Sequence, residues 1–287
     1  LTGGTSSERE IALLSSENVR KALEVHFNVE VFDFPEDLDR LVQSRDQFTC
    51  AVPIFHGRGG EDGLVQGFLE TIGMPYILSS VEAHAIGMNK EVCKKLLQMH
   101  GFKTPDWSTL GQTDAYTFKH PVVVKPFDSG SSVGVYLVHK QEHLQEALDG
   151  AFSQTDRVLV ERLVQGREFT VAVIDGEALP VIEIKSKNAF FDLESKYDAE
   201  LCDEICPAQI NSGLSDALME LACAAHRLIG ARHMSRTDML VDESGEIWFL
   251  EINTIPGLTN ESLLPKALRA GGYDLASLLK KWIHETM

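Results

Sequence analysis

The sequence predicts an α/β fold joined to α+β layers, and three observations carry that reading. Residues 1 to about 80 alternate strand-like and helix-like patterns, a βαβ rhythm that implies a parallel sheet with helices on its faces. Beyond residue 83 or so, short strands and turns take over. In EFTVAVIDGEALPVIEI, Asp175-Gly176 stands between alternating apolar runs, the strongest short-range hairpin signal. RTDMLVDESGEIWFLEIN, residues 236 to 253, reads as a second hairpin about Ser244-Gly245. A chain of 287 residues has room for two or three modest domains.

The elements follow in order. TSSERE at 5 to 10 carries two overlapping capping boxes, Thr5 to Glu8 and Ser7 to Glu10, and Ile11, Leu14, Ala22 and Leu23 follow at helical spacing. A VEVFDF strand, a polar helix, the run CAVPIF, the loop HGRGGEDG and a helix from Leu64 to Ile72 complete the first region. In parallel sheets ligands lie at the carboxyl ends of strands, where GGTSSERE and HGRGGEDG would fall. Asn89 is the N-cap expected for NKEVCKKLLQMH, with Gly101 as its stop. Lys90 then sits in a first turn, beside the positive pole of the helix dipole. Either it is an exposed lysine that tolerates the place, or an anion lies nearby. PVVVK, VGVYLV and RVLVERLV read as strands, with helices near 141 to 150 and 213 to 229.

Composition excludes several roles. A net charge of −17 opposes non-specific binding to nucleic acid or anionic membranes. No apolar run approaches the ~18 residues of a membrane span, and no signal peptide opens the chain. Five cysteines without metal spacing read as reduced cytosolic thiols, Cys202 and Cys206 being the one close pair that a redox or zinc site could use.

Two stretches carry chemistry. KPFDSGSSVG at 125 to 134 puts a lysine before a glycine-serine loop able to aim backbone N–H groups at phosphate. It is not a Walker A loop, in which the lysine follows the glycines, and there is no G-x-G-x-x-G. In the 236 to 253 hairpin a two-residue turn sets Asp238 opposite Glu251 and Arg236 opposite Asn253, all on one face. Opposed carboxylates repel unless a cation lies between them, and two carboxylates with an amide oxygen suit Mg²⁺. An acidic strand facing solvent would need no ligand, but the shared face also carries Leu240, Ile247 and Phe249. The expectation depends on register, because a three-residue turn would bring Leu250 opposite Asp238.

Lys90, Lys125 with its loop, ERLV at 161 to 164, Glu168 and the Asp238/Glu251/Asn253 hairpin, in that order, resemble an ATP-grasp enzyme. GGTSSERE, HGRGGEDG, KPFDSGSSVG, ESKYDAE and EINTIPGLTNES resemble the D-alanine-D-alanine ligase family, over residues 2 to about 266. The resemblance implies an ATP-grasp fold: a Rossmann-like parallel-sheet domain at 1–82, a central domain at 83–163 and a carboxyl-terminal domain at 164–287, the latter two enclosing ATP. Adenine would lie against Glu161, Arg162, Leu163 and Val164, with Glu168 on the ribose. Lys90 and Lys125 would contact phosphates, Ser132 would bind in the loop and Lys196 would lie near the γ-phosphate. Asp238, Glu251 and Asn253 would hold two Mg²⁺ or Mn²⁺ ions.

The implied reaction joins two D-alanine molecules through an acyl phosphate, for peptidoglycan precursor. Glu8 would take the first substrate's ammonium group and connect through Ser131 to Tyr197, although a capping glutamate explains it equally well locally. Arg236 would stabilise the tetrahedral stage, His56 would lie on the substrate side, and Gly257, Ser262 and Leu263 would receive the second D-alanine. Tyr197 within KYDAE favours an amide over an ester product. The resemblance also implies a cytoplasmic homodimer without nucleic-acid or membrane partners. It implies an apolar strand before GGTS of which only Leu1 stands here, so the central strand of the first sheet is expected to be lost or to lie outside the chain.

Overall fold

The computed structural model describes residues 1–128, 130, 134–186 and 202–287. Its elements are β1 (Thr2–Gly3), α1 (Arg9–Glu24), β2 (Asp33–Phe34), α2 (Leu38–Ser44), α3 (Leu64–Thr71), α4 (Val81–Met88), α5 (Lys90–Met99) and β3 (Trp107–Gly111). Then come β4 (Val122–Pro126), β5 (Tyr136–Val138), α6 (Leu144–Phe152), β6 (Arg157–Arg162), β7 (Arg167–Ile174), β8 (Glu177–Ala178), β9 (Ile182–Ser186) and β10 (Cys202–Ile205). The chain continues with α7 (Ser212–Leu228), β11 (Met234–Val241), β12 (Ile247–Asn253), α8 (Leu263–Gly271) and α9 (Leu275–Thr286).

The first region is parallel, as its rhythm predicts. β1 pairs with β2, the Leu1 carbonyl accepts from Ile54 N–H at 2.9 Å, and Ala51 bridges Tyr76 in parallel. Leu1 to Gly3 thus hold the central place between their two neighbours, where the resemblance leads one to expect a missing strand. The regular pairing is short because Pro35, Pro53 and Pro75 lie at or beside the strand segments and cannot donate to a ladder.

Helix α1 departs from expectation at its start and on its face. It begins at Arg9, and Glu8, in the N-cap position, makes no capping bond; Ser6 Oγ accepts from Glu8 N–H instead. Neither capping box closes. The buried stripe is Ala12, Ser15, Val19 and Leu23, whereas Leu14 is exposed. By contrast α5 begins as predicted: Asn89 Oδ1 accepts from Val92 N–H at 3.0 Å, and Gly101 takes the left-handed conformation at φ +86°.

Two antiparallel sheets follow. One runs β3-β6-β4-β5, and its core of Val122, Val124, Val158 and Val160 under α6 belongs to residues 110–160 alone. The other runs β10-β9-β7-β11-β12, with β8 attached to β7 through the predicted Asp175-Gly176 turn, both of whose residues have positive φ. α7 covers one face of this sheet, over Phe169, Val171 and Met239. The other face meets α1, α8 and α9 in the largest core, where Val19 and Leu23 of the first region pack with Leu278, Trp282 and Ile283 near the chain's end.

Candidate active site

β11 and β12 set Arg236 opposite Asn253 and Asp238 opposite Glu251, as expected, but by another route. The turn comprises Glu243, Ser244 and Gly245, because Asp242 N–H donates to the Glu246 carbonyl. The expected two-residue turn is therefore corrected to three, with Gly245 at φ +85°. The pairing then shifts between Asp238 and Met239, a bulge in which Leu250 is the surplus residue. Turn and bulge offset each other, and Glu251 returns to Asp238. The faces change too: Phe249 pairs with Met239 and Ile247 with Val241 on the side beneath α7, away from the carboxylates. Two consecutive residues, Leu250 and Glu251, fall between the buried Phe249 and Ile252, so alternation breaks at the site.

Asp238 is 7% exposed. The Arg236 guanidinium grips it with two bonds, Nε to Oδ1 at 2.9 Å and Nη2 to Oδ2 at 2.7 Å, the fork geometry that arginine supplies. Thr170 Oγ1 donates to Oδ1 at 2.6 Å and Asn253 Nδ2 to Oδ2 at 3.3 Å. Burial works against the Arg236 charge, but Asp238 first, then Glu251 and Glu61, outweigh it and raise its pKa. Lys90 Nζ stands 3.7 Å from Glu251 Oε2.

The first region brings its loops to this hairpin. Glu8 is 4% exposed, and two glycines approach its carboxylate closely. A Cβ on Gly57 would fall 2.4 Å from Glu8 Oε2, and one on Gly130 2.9 Å from the same oxygen. Glu61, two turns of loop away from His56, accepts from Gly57 N–H at 2.9 Å and from Ile255 N–H at 3.2 Å. Burial, reinforced by the charge of Glu8, pushes its pKa up to about 8 despite those bonds. His56 is buried and pushed down to about 4 by desolvation, so it is a neutral imidazole, with Nε2 3.0 Å from Ser15 Oγ.

Residues after β12 are pinned by α1 and α4. Leu258 N–H donates to Ser15 Oγ at 3.2 Å, and His84 Nδ1 lies 2.6 Å from Thr254 Oγ1. Gly257 packs so closely on Ser262 that a Cβ would meet its Oγ at 2.8 Å. Ser262 holds the N-cap position of α8 without capping it; its hydroxyl is 2.7 Å from Thr259 Oγ1. The first N–H groups of α8 are thus left for an anion, favoured further by the helix dipole. Glu8, His56, Arg236, Gly257, Ser262 and Leu263 line one pocket, together with Glu61, Glu251 and Asn253. An adjoining pocket adds Lys90 and Gly130.

At the other end of the cleft Glu161 of β6 lies between two lysines, with Oε2 2.7 Å from Lys125 Nζ and Oε1 2.7 Å from Lys94 Nζ. Lys125 therefore stands beside the first residue of the ERLV linker. Arg162 and Leu163 continue the linker, their N–H groups taken by Asp106 and Pro121 carbonyls, and Val164 follows half-buried. Glu168 shares the Asp238 face, opposite Leu240. Ser131, Ser132, Lys196 and Tyr197 lie outside the described residues.

The donor set at the hairpin fits a hard divalent cation: oxygen only, two directly opposed carboxylates, and cationic Arg236 and Lys90 drawn against them. Among the described residues no three His, Cys, Asp or Glu side chains gather to hold a metal, so water and phosphate would have to complete its coordination. Sequence reasoning missed Glu61, Lys94 and Thr170. Lys94 has a signal, being one helical turn from Lys90 on the same face. Thr170 has none, since its role depends on the β7–β11 register.

Comparison with known proteins follows from this geometry. The family described as D-ala D-ala ligase C-terminus matches residues 87–284. A D-alanine-D-alanine ligase of Geobacter sulfurreducens is 41% identical over 98% of the chain and 91% of its own length. The Bacillus anthracis D-alanine-D-alanine ligase complexed with ATP superposes with a TM-score of 0.85 at 30% identity, covering 99% of this chain and 94% of that one. The VanG D-Ala:D-Ser ligase of Enterococcus faecalis reaches 0.80 at 26%, over 100% and 98%.

Proposed function

Because this chain belongs to the D-alanine-D-alanine ligase family, we propose that it joins two D-alanine molecules at the expense of ATP, yielding D-alanyl-D-alanine for peptidoglycan precursor. The observation that carries the reading is the cleft in which Glu8, Arg236 and the α8 N-terminus meet Glu251, which β12 holds opposite Asp238. One end takes an amino acid's charged groups; the other suits a magnesium-bound nucleotide.

The carboxylate of the first D-alanine attacks the γ-phosphorus, and ADP leaves. The amine of the second attacks the resulting acyl phosphate carbonyl, loses a proton, and expels phosphate. Glu8 holds the first ammonium group. Arg236, fully charged at any working pH, faces the oxyanion of the tetrahedral stage, a fixed donor of the kind that lowers such barriers most. Gly257, Ser262 and Leu263 seat the second carboxylate on α8. Lys90 and Lys125 neutralise phosphate oxygens, with Ser132 and Lys196 assisting, while Glu161, Arg162, Leu163, Val164 and Glu168 line the nucleoside side. Asp238, Glu251 and Asn253 would hold two Mg²⁺ or Mn²⁺ ions, which offset charge during phosphoryl transfer. Ser131 and Tyr197 complete the connection to Glu8 and favour an amine acceptor.

The divisions 1–82, 83–163 and 164–287 belong to the same reading, as do a homodimer and a cytoplasmic setting, which rest on the resemblance alone. No helix among the described residues is long and apolar enough to cross a membrane. Phosphate release over a panel of D-alanine, D-serine, D-lactate and L-amino acids tests the proposal. Turnover with D-alanine and formation of the dipeptide are expected; turnover with L-amino acids and none with D-alanine would overturn it.

A further inference from the structure

Lys94 is 1% exposed, on α5 one helical turn beyond Lys90. Its ammonium hydrogen-bonds Thr104 Oγ1, sits 2.7 Å from Glu161 Oε1, and lies 5.4 Å from the Trp107 ring centre. Burying an ammonium costs several kcal/mol, and apolar replacements of buried ion pairs are often neutral or stabilising. Fold stability alone gives little reason for a lysine here.

The arrangement has a direction. Two ammonium groups share one carboxylate, leaving one positive charge in surplus. Lys94 and Glu161 have side chains 1% and 3% exposed, but Lys125 is 10% exposed, so the surplus reaches the cleft through Lys125. Each carboxylate oxygen of Glu161 meets one ammonium at 2.7 Å, Oε1 that of Lys94 and Oε2 that of Lys125. Glu161 is thus shared evenly between two cations. Burial opposes its charge, yet Lys125 and Lys94 outweigh that and hold its pKa below the usual carboxylate range.

We propose that Lys94 is a positioning residue for nucleotide binding, which neutralises Glu161 from beneath and so leaves the Lys125 ammonium free to meet an anionic or electron-rich edge of the nucleotide. The proposal rests on reading this cleft as the ATP site. With Lys94 uncharged, Glu161 and Lys125 form a closed neutral pair, and the positive charge facing the cleft is lost.

The test compares Lys94→Met and Lys94→Arg in the full chain, with ATP and D-alanine varied separately. Lys94→Met should raise KM for ATP about tenfold while kcat and both D-alanine KM values stay within about twofold, and Lys94→Arg should recover most of the loss. In a Glu161→Gln background, Lys94→Met should add less than about twofold, because the residue acts through that carboxylate. An unchanged KM for ATP overturns the proposal, as does a uniform decline in all parameters that persists with Glu161→Gln. If Lys94→Met fails to fold, Lys94→Gln, which keeps a donor without the charge, is measured in the same way. Lys125→Met separates the two levels. If it leaves KM for ATP unmoved, the ATP-site reading falls and the proposal with it; if it raises KM and Lys94 variants do not, only the proposal falls.

Discussion

Glu8 shows how a residue can serve a site against its own helix. It stands where α1 would be capped, and a missing cap costs about 1 kcal/mol, yet its carboxylate turns toward Gly57 and Gly130. Gly57→Ala would combine a left-handed φ of +74° with a Cβ 2.4 Å from Glu8 Oε2. The expected outcome is a loss of about 1 kcal/mol in denaturant unfolding and a rise of about tenfold or more in KM for the first D-alanine, read by initial rates. Glu251→Gln should abolish ligation with little change in melting temperature, because glutamine keeps the shape and relieves the repulsion between opposed carboxylates; retained turnover would contradict its role opposite Asp238. Residue types were the most legible part of this site: Glu8, Arg236, Glu251 and Gly257, named by their motifs, line one pocket, and Lys90 lines the pocket adjoining it. Glu61 was not legible, since its proton affinity comes from burial and from Glu8, which lies 53 positions away and meets it only in the fold.

Among the elements, the β11–β12 hairpin was readable from its alternation, and Asn89 from its capping chemistry. The bulge at Leu250 was not, because an apolar residue before a carboxylate carries no local mark of one. The bulge has a testable use. Deleting Leu250 should restore simple alternation with Glu251 still opposite Asp238, so the chain should fold. Removing the bulge would change how the neighbouring Glu251 is presented beside Asp238, so kcat should fall about tenfold or more. Failure to fold would mean that the bulge is needed for the hairpin itself. At the tip, Gly245 has φ +85° and nothing within 4 Å of a built Cβ. Gly245→Ala should therefore cost about 1 kcal/mol from backbone strain alone, seen as a lowered denaturation midpoint at unchanged kcat. The α1 stripe was misread for a related reason: Ser15 is buried because it bonds His56 and Leu258, partners that periodicity cannot reveal.

For the whole molecule, four histidines set the response to acid. His56, His226 and His233 are pushed down to about 4 and His84 to about 3, each chiefly by burial. A lowered histidine pKa gives stability that is present above the ordinary value of 6.5 and is lost as pH falls through the folded value. Glu61 acts oppositely: raised from 4.5 to about 8, it favours the fold below 4.5 and loses that contribution as pH rises through 8. Between pH 6 and 5 unfolding of the nucleotide-free protein should therefore take up a net of about three protons, and its melting temperature should drop steeply; a flat profile would show these rings to be solvated. The class of the fold was legible from the βαβ rhythm and hairpins, but its core was not, because helices from opposite ends of the chain make it together. α1 and α9 lock the first and last regions into one body through Val19, Leu23, Trp282 and Ile283, whereas the β3-β6-β4-β5 sheet keeps a core of its own. Among the described residues that smaller sheet is joined to the rest by the chain at 103–106 and 163–166 and by the Lys94–Glu161 and Arg157–Glu91 ion pairs to α5. Stiffening those crossings should therefore throttle turnover without disturbing any reacting atom.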